Sequence, residues 1–273
     1  MDDQEYGLLK IKLLDLIGVD LNFYKEAQMR RRLGNYLSIH AGGNNASFLQ
    51  EVKRDAEKRA ALKDFITINV SEFYRDPEQW ESFKKTVMTR FKPGSTVNIW
   101  SAGCSIGAEA YTLAMLSAEA GLDVRITGTD IDDGVLARAT AGGPYSKSDL
   151  RSVPDLIRRK YFTTSDEGEF VIPSIRQRVQ FKKHDLLKDR YGTNYDVVLC
   201  RNVIIYFTDE AKLEIFKGFR NSLKPTGALF IGATEAILAA SALGLRRVSG
   251  CIYEHAPIVQ SAVPNPFIGV SAK

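Results

Sequence analysis

The stretch Val97-Asn98-Ile99-Trp100-Ser101-Ala102-Gly103-Cys104-Ser105-Ile106-Gly107 decides how this sequence folds. A short apolar run leads straight into a turn with glycines at 103 and 107, which reads as a buried strand ending in a ligand-binding loop. Four more runs of the same texture follow: Val124-Arg125-Ile126-Thr127, Val179-Gln180-Phe181, Val197-Val198-Leu199-Cys200 and Leu229-Phe230-Ile231, separated by segments of helical periodicity. Strand and helix in alternation mean a parallel sheet flanked by helices, an α/β fold of Rossmann-like type. Upstream the texture is helical throughout: residues 6–16, 23–39 and 46–70 carry apolar residues at helical spacing, and no strand pattern intervenes. Between residues 161 and 178 the turn Asp166-Glu167-Gly168 beside Phe170-Val171-Ile172 suggests a small antiparallel excursion. The expected division is a helical N-terminal domain (1–76), a linker helix (77–92), a sheet domain (93–256, with the small β subdomain at about 161–178) and a loosely ordered tail (257–273).

The bulk composition sets bounds on function. A chain of 273 residues with 44% hydrophobic content is long enough for one large or two unequal domains with a proper core. Cys104, Cys200 and Cys251 are far apart and odd in number, so neither a zinc site nor a disulfide framework is expected, and a reducing compartment fits. No apolar run approaches a membrane span, and the acidic start at Asp2, Asp3 and Glu5 lacks the pattern of a signal peptide. A soluble, cytoplasmic protein without membrane insertion is expected. A net charge of +4 gives no reason to expect a nucleic-acid partner.

Every expected strand ends in residues that do not look like core: the glycine loop, Asp130, His184-Asp185, Arg201-Asn202 and Gly232-Ala233-Thr234-Glu235. In an open parallel sheet these carboxyl ends form the ligand crevice. Asp130 sits where an acidic side chain accepts hydrogen bonds from both ribose hydroxyls of an adenosine-containing cofactor. The loop lacks the third glycine of a pyrophosphate-binding fingerprint, and adenosine without phosphates points to S-adenosylmethionine. The plainer reading of Asp130 is a turn residue capping a helix that begins near Asp132 or Asp133. Gly103-x-Ser105-x-Gly107 also matches the nucleophile elbow of serine hydrolases, with His255 in the right chain order. That elbow normally follows several strands, and here none precedes it.

Four stretches carry a resemblance: residues 67–76 (Thr-Ile-Asn-Val-Ser-Glu-Phe-Tyr-Arg-Asp), Ala102-Gly103-Cys104-Ser105, Thr129-Asp130-Ile131-Asp132, and residues 200–208 (Cys-Arg-Asn-Val-Ile-Ile-Tyr-Phe-Thr). In this order, within about residues 24–253, the chain resembles the chemotaxis receptor methyltransferase (CheR) family. The resemblance implies a helical N-terminal domain, a Rossmann-like S-adenosylmethionine-dependent methyltransferase domain, and an antiparallel subdomain that helps hold the receptor. The implied activity is methyl transfer to glutamate side chains in the cytoplasmic domains of methyl-accepting chemotaxis receptors, yielding S-adenosylhomocysteine, by a monomer. Position by position it implies cofactor contacts at Asn69, Ser71, Arg75, Glu109, Asp130, Asp185, Leu186, Arg201 and Asn202. Arg75 and Tyr206 are implied as the catalytic pair, Tyr206 beside the transferred methyl. Taken alone, Arg75 reads as a surface or capping arginine and Tyr206 as a core aromatic with its hydroxyl toward solvent.

The family usually reads Gly-Cys-Ser-Thr-Gly-Glu-Glu-Pro-Tyr where this chain has Ile106, Ala108 and Ala110 in place of Thr, the first Glu and Pro, while Glu109 keeps the second acid. Asp185 stands where some relatives have Asn. Two alternatives stand beside this reading: a methyltransferase of the same fold with another acceptor, and a non-catalytic module that retains the cofactor pocket, which Ile106 and Ala108 motivate. Lys25, Arg30, Arg31, Arg32, Arg54, Lys58 and Arg59 concentrate positive charge in the helical part. Three consecutive arginines on a helix cannot share a face, so only some of this charge is available to an acidic partner.

Overall fold

The computed structural model describes residues 2–42, 44–238 and 240–256; the expected tail, residues 257–273, lies outside the described residues. Four helices come first, α1 (Asp3–Ile17), α2 (Glu26–His40), α3 (Asn45–Arg54) and α4 (Ala56–Thr67). They close around their own core, in which Tyr6, Leu13, Met29, Leu33, Val52 and Ile66 are buried. The single helix expected over 46–70 is two helices. Asp55 adopts an extended conformation, and its carboxylate accepts the N–H groups of Glu57 and Lys58, ending α3 and capping α4 in one residue.

Helix α5 (Pro77–Thr86) then leads to β1 (Thr96–Ala102), α6 (Ala108–Glu119), β2 (Asp123–Asp130) and α7 (Asp133–Ala141). Helix α8 (Asp155–Tyr161), the hairpin β3 (Phe162–Ser165) and β4 (Gly168–Val171), and the short α9 (Pro173–Arg176) come next. Strand β5 (Val179–Lys183), β6 (Tyr195–Cys200), α10 (Asp209–Ser222), β7 (Leu223–Ile231), β8 (Leu245–Ser249) and β9 (Ile252–His255) complete the fold. The seven-stranded sheet runs β5-β2-β1-β6-β7-β9-β8. Its first five strands are parallel, and β9 pairs antiparallel with both β7 and β8. All five expected strands are present, and the hairpin stands where the antiparallel excursion was read. Strand β8 was not expected, and residues 253–255 belong to the antiparallel strand β9.

Alternate residues of the central strands face opposite layers. Val97, Ile99, Val197, Leu199, Ala228 and Phe230 pack with α5 and α6, while Trp100, Ala102, Val198, Cys200, Leu229 and Ile231 pack with α10. Burial on both faces is why these strands read as continuous apolar runs. The order reverses between β1 and β6, placing the switch point of the sheet beside the loop that begins at Gly103. The four leading helices reach this same edge. Lys63 Nζ donates to the Ile131 carbonyl at 2.8 Å, and the Thr67 hydroxyl donates to Asp132 at 3.2 Å. Among the described residues, no helix is long and apolar enough to cross a membrane.

Candidate active site

At the carboxyl edge of the sheet lies a cleft of about 1160 Å³ measured out to its mouth, large enough to admit a small molecule. All ten residues singled out in the sequence, Asn69, Ser71, Arg75, Glu109, Asp130, Asp185, Leu186, Arg201, Asn202 and Tyr206, line it.

Asp130 ends β2 and is buried. One of its oxygens accepts the Ser105 N–H at 2.8 Å and the other the Asp132 N–H at 3.1 Å. A carboxylate has about four acceptor positions, so these bonds leave acceptor capacity for a ribose hydroxyl. Burial raises its pKa, partly offset by those N–H donors. The capping role falls two residues later: Asp132 is the N-cap of α7 and accepts the Gly134 N–H. Gly103 has φ +74°, and a Cβ there would stand 2.5 Å from Val203 Cγ2. Its lack of a side chain therefore lets the loop after β1 pack on the loop after β6, beyond the approach to ligand expected of it.

Glu109, in the first turn of α6, accepts the Ser101 hydroxyl at 2.7 Å and lies 3.7 Å from Arg201 Nη1. Burial raises its pKa against the opposing pull of Arg201 and Ser101. A cationic ammonium brought beside it would favour the ionised form further. Arg201 is itself buried, its guanidinium stacked 5.0 Å from the Trp80 ring centre and 4.9 Å from that of Phe230. Its Nη2 donates to the Arg75 carbonyl, Asp76 Oδ2 and Gln79 Oε1 at 3.1–3.3 Å. Arg201 thus fixes the start of α5, and with it Arg75, against the sheet.

Asn69 sends its amide nitrogen to Asp64, Thr67 and Asp132 at 2.8–3.1 Å, tying the end of α4 to the turn after β2. Asn202 adopts a left-handed conformation (φ +62°) and leaves its buried Oδ1 without a partner. Asp185 caps its own turn through the Leu187 N–H at 2.9 Å and lies 3.6 Å from Lys188. Arg75 Nη1 donates to the Val70 carbonyl at 3.3 Å, and Tyr206 closes a short 3-10 turn, Ile204–Tyr206.

Three contributors were not singled out as site residues in the sequence. Trp80 supplies the face under Arg201. Tyr24 enters the cleft from the helical part. Buried Glu235 accepts the N–H groups of Gly232 at 2.6 Å and Asn202 at 3.0 Å, holding the loop that carries Asn202 and Tyr206. Glu235 was visible as a polar strand end, whereas nothing in the local sequence marks Trp80 or Tyr24. Ile106, Ala108 and Ala110 are 5%, 0% and 0% exposed and none lines the cleft. Those departures fall in the core at and just before the start of α6, not in the lining. His255, the hydrolase candidate, lies in β9 and does not line the cleft.

A parallel sheet with an acidic residue closing its second strand, a two-glycine loop at the switch point and no phosphate-binding fingerprint defines the class of adenosine-cofactor enzymes of Rossmann-like fold. The residues present fit such a cofactor: acceptor capacity on Asp130, an acid at Glu109, and the orphaned oxygen of Asn202. Residues 69–247 match the family model described as CheR methyltransferase, SAM binding domain. The chain is 35% identical over 242 residues to a chemotaxis protein methyltransferase of Listeria monocytogenes, covering 87% of this chain and 92% of that protein. It is 30% identical over 250 residues to chemotaxis protein methyltransferase 1 of Pseudomonas aeruginosa, covering 85% and 90%. It is 32% identical over 194 residues to chemotaxis protein methyltransferase 2 of Vibrio cholerae, covering 66% and 67%. The chain belongs to the CheR methyltransferase family and is an S-adenosylmethionine-dependent methyltransferase.

Proposed function

We propose that this protein esterifies glutamate side chains in the cytoplasmic domains of methyl-accepting chemotaxis receptors, acting in the cytoplasm as a monomer. In this reading residues 1–76 form a receptor-facing helical domain, 77–92 a linker, and 93–256 the transferase domain. The observation that carries it is the pairing, at one cleft, of an adenosine-type site around Asp130 with Arg75 and Tyr206. Support for the acceptor comes from the chemotaxis relatives.

S-adenosylmethionine supplies the activated methyl group. Asp130, Asp185, Leu186 and Asn202 would hold its nucleoside and neighbouring atoms, and Glu109 its ammonium. Asn69, Ser71 and Arg201 stand in the surrounding wall. A glutamate carboxylate, with an ordinary pKa of about 4.3, is ionised near neutral pH, so no general base is required. What the protein contributes is alignment and enclosure: Arg75 pairs with the acceptor carboxylate, and the Tyr206 hydroxyl orients it. Closing water out favours a reaction in which opposite charges disappear, because water solvates the separated charges best.

The test is transfer of labelled methyl from S-adenosylmethionine to a receptor cytoplasmic fragment. The expected product releases its label as methanol in mild alkali, as a methyl ester does and an N-methyl group does not. Label stable to alkali, or transfer only to RNA or a small molecule, would overturn the glutamate assignment. Cofactor binding without any transfer would support a binding module.

A further inference from the structure

Residues 18–25, between α1 and α2, form a strap across the cleft, fastened at both ends to loops of the sheet. At one end Lys188 Nζ, from the loop after β5, donates to the Gly18 carbonyl at 3.2 Å. At the other end the Lys25 N–H donates to the Tyr206 carbonyl at 2.9 Å, and the Thr208 N–H donates to the Phe23 carbonyl at 2.8 Å. These two bonds make a one-residue antiparallel bridge between Tyr24 and Phe207, whose rings meet edge to face at 4.9 Å. Val19, Asp20 and Tyr24 line the cleft from this strap.

Tyr24 differs from the other strap residues in its chemistry. Its ring packs against both the helical core and the β6–β7 side of the sheet core. Its hydroxyl makes no hydrogen bond to any described residue, although it stands in a cleft with the carboxylates Asp130 and Asp185. Burial above all, and then the charges of Asp185, Asp130 and Asp20, push its pKa well above the ordinary tyrosine range. The group is therefore a neutral phenol at any physiological pH, with its proton and its lone pairs both unspent. A nucleoside offers matching partners for both, and an aromatic edge suits the face of its base.

We propose that Tyr24 is a cofactor-binding residue, contributed by the helical part, that walls the nucleoside and hydrogen-bonds it through its hydroxyl. The strap then makes cofactor affinity depend on the seating of the helical part. Because the bridge that holds Tyr24 is closed by the Tyr206 carbonyl, a shift of the start of α2 is transmitted to the residue placed beside the acceptor. This rests on the reading of the cleft as the adenosine site.

The experiment is calorimetry of the full chain with S-adenosylhomocysteine and with 5′-methylthioadenosine, on the parent, Tyr24→Phe, Tyr24→Ala and Asp130→Ala. Tyr24→Phe keeps the contact with Phe207 and should keep the parent's thermal midpoint. It is expected to weaken both ligands about 3- to 10-fold, the worth of one lost hydrogen bond, with Tyr24→Ala weaker still. A ring that only props Phe207 would leave Tyr24→Phe within roughly twofold of the parent, and that result would overturn the proposal. Loss confined to S-adenosylhomocysteine would overturn the nucleoside placement. If Tyr24→Ala does not fold, Tyr24→Phe decides alone. Should Asp130→Ala also bind both ligands normally, the adenosine reading of the cleft fails, which separates that failure from failure of the Tyr24 assignment.

Discussion

The backbone N–H of Ser105 donates to the carboxylate of Asp130 at 2.8 Å, so the loop after β1 and the end of β2 are set by one buried side chain. Asp130→Ala removes this acceptor and the proposed acceptor for ribose together. We expect a folded protein whose affinity for S-adenosylhomocysteine falls at least about tenfold, as loss of a hydrogen bond to a charged group implies. Calorimetry on a variant with native circular dichroism measures it, and parent-like affinity would end the ribose assignment.

Cofactor binding should weaken as pH falls. Burial raises the pKa of Asp130 and of Glu109, and in the proposed site each serves as its anion. Affinity is therefore full above the folded-state pKa and is lost as pH drops through it. Because both pKa values lie above the ordinary carboxylate range near 4, the loss should begin at a higher pH than exposed acids would give. Titration of S-adenosylhomocysteine between about pH 7.5 and 5 tests this, and affinity flat over that range would contradict it.

Tyr206→Phe should reduce methyl-transfer turnover about tenfold or more, the worth of one hydrogen bond to a charged group, while leaving S-adenosylhomocysteine affinity nearly unchanged, because the hydroxyl is assigned to the acceptor. Arg75→Ala should raise the KM for the receptor fragment as well, since it removes the proposed cationic partner of the glutamate. Initial rates as a function of receptor concentration separate the two effects. Full turnover in Tyr206→Phe would remove the hydroxyl from the reaction.

Glu235→Ala leaves the buried N–H of Gly232 and the half-buried N–H of Asn202 without their acceptor. A loss of about 2–4 kcal/mol in stability is expected, together with weaker cofactor binding through displacement of Asn202. Glu235→Gln, which keeps one acceptor oxygen, should recover part of both. Urea denaturation of the three proteins measures the difference, and identical midpoints would show that Glu235 does not hold this loop.

Charge reversal on α2 should act through Arg31. Arg30 pairs with Asp3 and Glu26 and lies over the Tyr6 ring, and Arg32 donates to the Phe65 carbonyl. Arg31 is exposed. Arg31→Glu is expected to slow receptor methylation a few-fold at low salt and to flatten its salt dependence, with cofactor affinity unchanged. Equal rates at low and high ionic strength for parent and variant would place the receptor contact elsewhere.

The sequence by itself determined the parallel sheet and the edge of it that carries the chemistry. Strands buried on both faces must be apolar along their whole length, and the ligand loops of such a sheet follow the strands directly, so Asp130, Asp185 and Arg201-Asn202 announce themselves by position. Tertiary structure alone decided the rest. Strand β8, with exposed Arg246 and Arg247 near the sheet edge, carries too little apolar pattern to read as a strand. The break at Asp55 is a capping event inside an unbroken helical periodicity. That Arg201 stacks on Trp80 and pins Arg75, and that residues 18–25 bind across the cleft to Tyr206, depends on pairs more than a hundred residues apart. No local spacing encodes such contacts, because they form only once the helical part has packed against the finished sheet.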